Sequence, residues 1–190
     1  MELLKRIYFT LRMSYHYRHE LAAIVRNSTS DYQVLHLSPS TLKEQGISVL
    51  VLDFDGVLAA HGEYQPTEEL CAWLHESTQF FAHVFILSNQ SLSHRVAYFE
   101  CYYPHITYLT GVRKKPYPDG LEKILALTEQ PAHCVMLVDD RLLTGALAAC
   151  IAHIQFTYIT RPYYDKANRP IQELFFACLR LLERYLARFF

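Results

Sequence analysis

The feature that most constrains the fold is an apolar run followed by two acids, VLVLDFDG over residues 49–56. A short run rich in valine and leucine, without polar alternation, is typical of a strand buried on both faces of a sheet. Such strands belong to parallel sheets, which carry reactive groups at the carboxyl ends of their strands. Asp53 and Asp55 therefore lie at a predicted catalytic strand end.

The rest of the chain alternates strand-like and helix-like segments. Strands are predicted at residues 47–52, 84–87, 106–109, 135–138 and 154–159, and helices near 67–78, 92–101, 118–128 and 141–152. This alternation is typical of a parallel sheet with helices on both faces. We predict a three-layer, Rossmann-like α/β domain with about five strands and no large cap.

Amphipathic helices are predicted at both ends of the chain. Residues 2–27 follow helical spacing with a disturbance near Arg18, and Pro170 opens a helix over residues 170–190. We divide the chain into an N-terminal helical extension, residues 1–45, and a catalytic domain, residues 46–190. The C-terminal helix is expected to pack on the sheet, whereas residues 1–27 are a candidate contact with a membrane surface.

Composition limits the class of protein and the cellular compartment. Of the 190 residues 51% are hydrophobic and the net charge is −1, which disfavours a disordered chain or a protein that coats nucleic acid. The five cysteines form no CxxC pair, as expected in a reducing compartment. No apolar run reaches the length of about 18 residues needed for a membrane span. We expect a cytoplasmic protein with a candidate peripheral contact to the inner face of a membrane, and we make no prediction of its oligomeric state.

Four predicted strand ends, or the loops after them, carry polar groups that would meet at one edge of the sheet. These groups are Asp53 with Asp55, Ser88 with Asn89, Lys115, and Asp139 with Asp140. Carboxylates from two strands suit Mg²⁺, while a lysine and a small hydroxyl suit a phosphoryl group. A carboxylate can attack phosphorus, and a second one can carry the proton.

In order and context, these motifs resemble those of the haloacid dehalogenase superfamily of phosphotransferases. The resemblance covers about residues 47–160 and implies that Asp53 is the nucleophile and Asp55 the general acid and base. It implies that Ser88, with Asn89, and Lys115 bind the phosphoryl oxygens. The implied Mg²⁺ ligands are Asp53, the backbone carbonyl of Asp55, Asp139 and Asp140, with the choice between the last two open.

In residues 42–47, 114–116 with Pro118, 140–144 and 168–170, the chain also resembles the capless branch that includes phosphatidylglycerophosphate phosphatases. The intervals between motifs are too short for a capping domain, so the site is expected to be open to a large or fixed substrate. The chain departs from the branch at Gly56-Val57, where the branch has asparagine-threonine, and at Gly145, where it has an acid. The favoured substrate is a phospholipid phosphomonoester such as phosphatidylglycerophosphate.

Two other functions fit the same residues. The first is a phosphatase for nucleic-acid 3′ ends or soluble phosphate esters. The nearly neutral overall charge weighs modestly against a nucleic-acid substrate. The second is a catalytically weak scaffold or a membrane-surface binding protein, which Gly145 suggests. His61 follows the catalytic loop, but we assign it to the core or surface because the histidines lack metal-ligand spacing.

Overall fold

The computed structural model describes residues 2–189 and confirms the predicted α/β fold. Five parallel strands form one sheet in the order β3-β2-β1-β4-β5, which places the acid-bearing strand at its centre. The strands are β1 (Val49–Leu52), β2 (His83–Ile86), β3 (Ile106–Tyr108), β4 (Val135–Asp139) and β5 (Gln155–Tyr158). Each lies within two residues of its predicted bounds.

Helices surround this sheet. They are α1 (Glu2–His16), α2 (Arg18–Asn27), α3 (Pro39–Glu44), α4 (Glu68–Phe80), α5 (Ser93–Tyr102), α6 (Asp119–Thr128), α7 (Leu147–Ala152) and α8 (Pro170–Arg188). A π-helical turn, Leu142–Ala146, leads into α7. A loop joins β1 to α4, and α5 alone lies between β2 and β3, so no capping domain interrupts these connections.

The alternation of side chains along β1 creates two cores. Leu50 and Leu52 pack with side chains of α4 and α5, whereas Val49 and Val51 pack with side chains of α6 and α7. All four side chains are fully buried. Burial on both faces is the reason that this strand is continuously apolar.

The N-terminal segment forms two helices where one was predicted. The break at Tyr17 separates α1, which buries only Ser14, from α2, which buries Leu21 and Val25. These two α2 side chains join a third core with residues of the π-helical turn, α7, β5 and α8. The division into residues 1–45 and 46–190 stays a prediction, although α2 is part of a shared core.

The C-terminal helix packs on the protein through an unexpected face. Its buried residues are Glu173, Arg180, Glu183 and Ala187, whereas most of its large apolar side chains are exposed. A surface helix of a globular protein ordinarily buries its apolar stripe. Within residues 2–189, no helix is both long and apolar enough to cross a bilayer.

Candidate active site

The central strand delivers its two acids into a tight turn. The backbone N–H of Asp53 donates to Val138 O at 2.9 Å, which extends the pairing of β1 with β4. Gly56 follows with a φ of +85°, and a Cβ there would lie 2.7 Å from Asp140 Oδ2. Glycine is therefore required here both by the left-handed backbone and by the close approach of β4.

A lysine links the carboxylates of the two central strands. Lys115 Nζ lies 3.1 Å from Asp53 Oδ1 and also donates to Asp139 Oδ2. Carboxylate oxygens of Asp53, Asp139 and Asp140 all lie within 4.8 Å of one another. Lys115 is only 3% exposed, so the ammonium group acts on this cluster rather than on solvent.

The cluster carries more negative than positive charge. Its three carboxylates face two cations, Lys115 and Arg180, which leaves one net negative charge. Burial, joined by the nearby Asp139 carboxylate, raises the pKa of Asp53 despite the opposing effect of Lys115. Burial and Asp139 likewise raise the pKa of Asp140 to about 7. Although burial acts in the opposite direction, Asp139 and Asp53 hold the pKa of Lys115 above its ordinary value.

This donor set fits a divalent cation. Asp140 Oδ1 is buried without a hydrogen-bond partner, so one oxygen of this carboxylate is free to act as a ligand. Both Asp139 oxygens are engaged, Oδ2 by Lys115 and Oδ1 by the backbone N–H of Arg141 at 2.9 Å. Oxygen ligands and excess negative charge suit Mg²⁺. The geometry therefore favours Asp140 over Asp139 as the direct ligand.

Gly145 leaves room for the carboxylate of Asp139. A Cβ on Gly145 would lie 2.2 Å from Asp139 Cγ and 2.3 Å from Asp139 Oδ2. An acid at residue 145 and the present placement of Asp139 are thus mutually exclusive.

Replacement of this glycine should disturb the cluster. We expect Gly145→Ala to lower the free energy of unfolding by about 1–3 kcal/mol, the usual cost of overpacking a buried site, and to reduce any phosphatase activity. Urea denaturation measures the first effect. The double variant Asp139→Gly/Gly145→Asp should recover part of the loss, since it removes the Asp139 side chain, including the Cβ that would lie 2.4 Å from a Cβ at residue 145. A Gly145→Ala protein as stable as the wild type would contradict this packing.

Asp55 is held by a residue that the sequence analysis did not identify. Arg95, on α5, donates from Nη2 to Asp55 Oδ1 at 2.8 Å and from Nη1 to Asp55 Oδ2 at 3.1 Å. Its Nε donates to Glu63 O at 2.8 Å, and the guanidinium carbon lies 4.0 Å above the centre of the Phe54 ring. Arg95 is fully buried, so a two-pronged ion pair fixes the orientation of Asp55.

Ser88 and Asn89 have different surroundings at the end of β2. Ser88 Oγ faces Asp55 Oδ2 at 3.4 Å and is 9% exposed, which leaves it available to the cavity. Asn89 Oδ1 accepts from the backbone N–H of Lys115 at 2.7 Å, and its Nδ2 donates to the carbonyl of Lys115 at 3.3 Å. Both ends of this amide are thus occupied, so Asn89 fixes the loop that carries the lysine.

The inner face of α8 completes the fourth strand end. Arg180 Nη1 donates to Asp140 Oδ2 at 2.8 Å. Glu183 accepts from Arg141 Nε and from the backbone N–H of Leu142, each at 2.9 Å. The polar face of the helix is buried because these groups neutralise the charges that β4 delivers to the edge of the sheet.

Residues around His61 close the other side of the site. The imidazole stacks on Phe176 of α8, with ring centres 3.8 Å apart, and its Nδ1 lies 3.7 Å from Glu173 Oε2. His61 and Phe176 line a cavity of about 100 Å³ with Asp53, Asp55, Ser88 and Lys115. Burial, together with three nearby arginines and against the effect of Asp55, lowers the pKa of His61 to about 4.

The pKa of His61 should make stability depend on pH. Its ordinary pKa is 6.5, so between pH 6.5 and about 4 the unfolded state binds a proton that the folded state does not. Stability is therefore lost as pH falls through this range, by up to about 3 kcal/mol. We expect His61→Phe, which keeps an aromatic stack, to lose less stability than the wild type between pH 7 and 4.5 in urea denaturation. Substitution of the exposed His75 by Phe should leave the wild-type slope, and equal slopes for all three proteins would contradict the assignment.

The structure thus brings all the predicted strand-end residues together around Lys115. Arg95, His61 and the inner face of α8 were missed, because each is distant in sequence from its partner and none belongs to a recognisable motif. Arg95 could have been suspected only from its position in the first turn of α5, the helix that follows β2. His61 was assigned to the core or surface, and it is indeed buried, but against the site.

Fold and site together define an α/β protein with a Rossmann-like parallel sheet and a lysine-linked carboxylate cluster at its carboxyl edge. No protein-family model and no curated protein matches this chain. It is similar to two solved structures, each covering 68% of this chain. An uncharacterized protein from Corynebacterium glutamicum has 22% identity and a TM-score of 0.46 over 93% of that chain. The core domain of a "putative phosphoglycolate phosphatase" from Streptococcus pneumoniae has 20% identity and a TM-score of 0.42 over 95% of that chain.

Proposed function

We propose that this protein is a magnesium-dependent phosphomonoester hydrolase of the haloacid dehalogenase type, acting through an aspartyl-phosphate intermediate. The observation that carries the proposal is the contact of Lys115 with Asp53 and Asp139 beside the free oxygen of Asp140. One lysine placed between a nucleophile and a cation site is the arrangement needed to neutralise a phosphoryl group during transfer.

The chain's own residues supply the nucleophile and the proton carrier of a two-step reaction. A carboxylate oxygen of Asp53 attacks phosphorus, the bond to the ester oxygen breaks, and Asp55 gives its proton to the leaving alcohol. Asp55 then takes a proton from water, which attacks the phosphorus and releases phosphate with regeneration of Asp53. Lys115 and Ser88 hold the phosphoryl oxygens throughout. When bound, Mg²⁺ would be held by Asp53 and Asp140 and would supply positive charge to the transferring phosphoryl group.

Arg95 adds a condition to the proton transfer. Both Asp55 oxygens accept hydrogen bonds from its guanidinium, so protonation of Asp55 requires one of these bonds to be released. Ser88 Oγ, near the same carboxylate, is an alternative partner during that exchange. Arg95 therefore acts as a positioning residue and not as a group that touches substrate.

A phospholipid phosphomonoester, such as phosphatidylglycerophosphate, is the substrate class that the surroundings support best. The cavity continues into a groove of about 560 Å³ that shares Ser88 and Asn89 with it and contains Arg113 and Lys114. A further groove of about 500 Å³ shares Lys114 and reaches Leu3 and Arg6 of α1. The path from the reacting phosphate is thus basic and then partly apolar, as a lipid with an anionic headgroup requires. We place the protein in the cytoplasm, at the inner face of a membrane.

Substrate comparison tests this proposal. With Mg²⁺, phosphate release should be fastest from phosphatidylglycerophosphate in detergent micelles, slower from a soluble phosphate ester, and slowest from a 3′-phosphorylated oligonucleotide. A chelator should stop all three. Preference for the oligonucleotide would replace the lipid assignment, and absence of turnover on every substrate would indicate a scaffold.

A further inference from the structure

The two terminal helices direct their apolar side chains away from the protein. On α8 the exposed apolar side chains form a stripe at helical spacing, and each exposes more than half of its surface: Ile171, Leu174, Phe175, Leu181, Leu182, Tyr185 and Phe189, the last directly after the helix. On α1, Leu3, Leu4, Tyr8, Leu11 and Tyr15 are similarly exposed. A contiguous exposed apolar surface on a folded chain marks an interaction site.

We propose that these outer faces of α8 and α1 dock the protein on the surface of an anionic lipid bilayer. The proposal rests on the proposed function only in that the docked bilayer would contain the phospholipid substrate. The inner face of α8 is fixed by ion pairs with Asp140 and Arg141, so its apolar face has no alternative position against the sheet. An amphipathic helix that lies in a membrane interface presents this combination of apolar and basic residues.

The exposed charges beside the apolar faces of α8 and α1 favour an anionic bilayer as the binding partner. The acids of α8, Glu173 and Glu183, are each 3% exposed, while Arg188 at its last turn is exposed to solvent. On α1, Lys5 and Arg12 are exposed against a single acid, Glu2. The charge displayed beside both apolar faces is therefore mainly positive. It complements anionic lipid and would repel the same surface on a second copy of this chain.

The docking surface also borders the active site. Phe175 is exposed on α8, while the next residue, Phe176, lines the catalytic cavity and stacks on His61. At the other side, Phe9 of α1 packs on Tyr117, two residues beyond Lys115, with ring centres 4.6 Å apart. Docking through both helices would thus bring the bilayer to the rim of the cavity, where a headgroup phosphate could enter without leaving the membrane.

Vesicle co-sedimentation of the full chain tests the docking surface. The probes are vesicles of phosphatidylcholine alone and of phosphatidylcholine mixed with phosphatidylglycerol, without Mg²⁺. We expect wild-type protein to sediment with the mixed vesicles and less so at high salt. Leu174→Glu/Leu181→Glu should weaken binding by about tenfold or more, since each leucine loses its burial in the interface. Leu4→Glu/Leu11→Glu should weaken it as well.

Matched controls lie on α6. Leu127 is 59% exposed there, so Leu127→Glu adds the same single charge as Leu174→Glu alone, at a similarly exposed leucine outside the docking surface. Leu174→Glu should weaken binding, whereas Leu127→Glu should bind as the wild type does. For the charge, Arg188→Glu should weaken binding and Lys123→Glu should not. Thermal unfolding verifies that each variant is folded. Point variants are used because deletion of residues 1–27 would also remove Leu21 and Val25 from the core.

Three results would overturn the proposal. The first is absence of wild-type binding to anionic vesicles. The second is equal binding by the α8 variant and the Leu127→Glu control. The third is a wild-type dimer that becomes a monomer in the α8 variant, while none of the proteins binds vesicles. The last result would assign the face to a second copy of the chain. Vesicles of phosphatidylglycerol contain no phosphomonoester, so absence of vesicle binding would not affect the micelle assay of the proposed function. Absence of phosphate release in the micelle assay would likewise not affect the vesicle-binding result.

Discussion

Asp53→Asn should abolish phosphate release while leaving the protein folded. An amide cannot attack phosphorus to form the acyl phosphate, so we expect turnover to fall by about 10⁴-fold or more, as for removal of other enzymatic nucleophiles. The substitution should at the same time raise the melting temperature of the metal-free protein. Burial and neighbouring acids disfavour the ionised carboxylate of Asp53, and an amide of equal size relieves that cost.

These opposite effects distinguish lost chemistry from lost structure. Steady-state phosphate release and thermal unfolding in the presence of a chelator are the two measurements. Asp31→Asn is the matched control, because Asp31 is exposed and its φ of 56° is tolerated by asparagine. It should change neither quantity. Substantial turnover by Asp53→Asn would show that another residue attacks the phosphorus.

Arg95→Met should cause the largest loss of stability among the substitutions considered. It leaves Asp55 buried beside a thioether without either guanidinium hydrogen bond, and breaking a buried ion pair in this way costs about 3–5 kcal/mol. Activity should fall too, since Asp55 would no longer be held at the cavity. Urea denaturation and phosphate release at saturating Mg²⁺ measure the two losses.

The control is the exposed ion pair of Arg113 with Asp119. Arg113 is 57% exposed, so solvent screens the pair and Arg113→Met should leave stability nearly unchanged. Arg95→Lys should recover part of the stability and of the activity, because an ammonium group keeps the charge but not the two-pronged geometry. If Arg95→Met were no more destabilising than Arg113→Met, the buried pair would not be holding Asp55.

The sheet and the location of the site could be predicted from local sequence. Each strand is a short apolar run next to a helical pattern, and parallel strands bring their carboxyl ends together, so Asp53, Ser88 and Asp139 had to meet. Lys115 follows the third predicted strand, but one lysine in a loop carries little information, so its individual role rested on the family resemblance. Its contacts with Asp53 and Asp139 give this expectation a geometric basis.

The partners of these residues could not be predicted in the same way. Arg95 and Arg180 each lie 40 residues from the aspartate that they bind, and each occurs in a helix where an arginine ordinarily faces solvent. Periodicity showed that α8 is amphipathic but not which face is buried. The helix α8 was expected to pack on the sheet, and it packs mainly on α2 and the π-helical turn, with Arg184 reaching Tyr158 of β5. The usual rule for its apolar face fails because Asp140 and Arg141 require charged partners.

Gly145 illustrates why a departure from a family pattern needs a structure. In the sequence it is a missing acid and therefore a reason to consider a scaffold. In the fold it is the space that Asp139 fills, since a Cβ at residue 145 would lie 2.3 Å from Asp139 Oδ2. The sequence at one position cannot reveal such packing between two positions.

The inner face of α8 also has a consequence for the order in which the site is assembled. Synthesis supplies Asp53 and Asp140 well before Arg180 and Glu183, and the helix that carries the latter two must dock before the charges on β4 are neutralised. Until then, Asp140 lacks the counter-ion that Arg180 supplies, although Asp139 can already pair with Lys115. The final environment of Asp140 and Arg141 therefore requires the C-terminal helix, so the last segment of the chain is a structural part of the site.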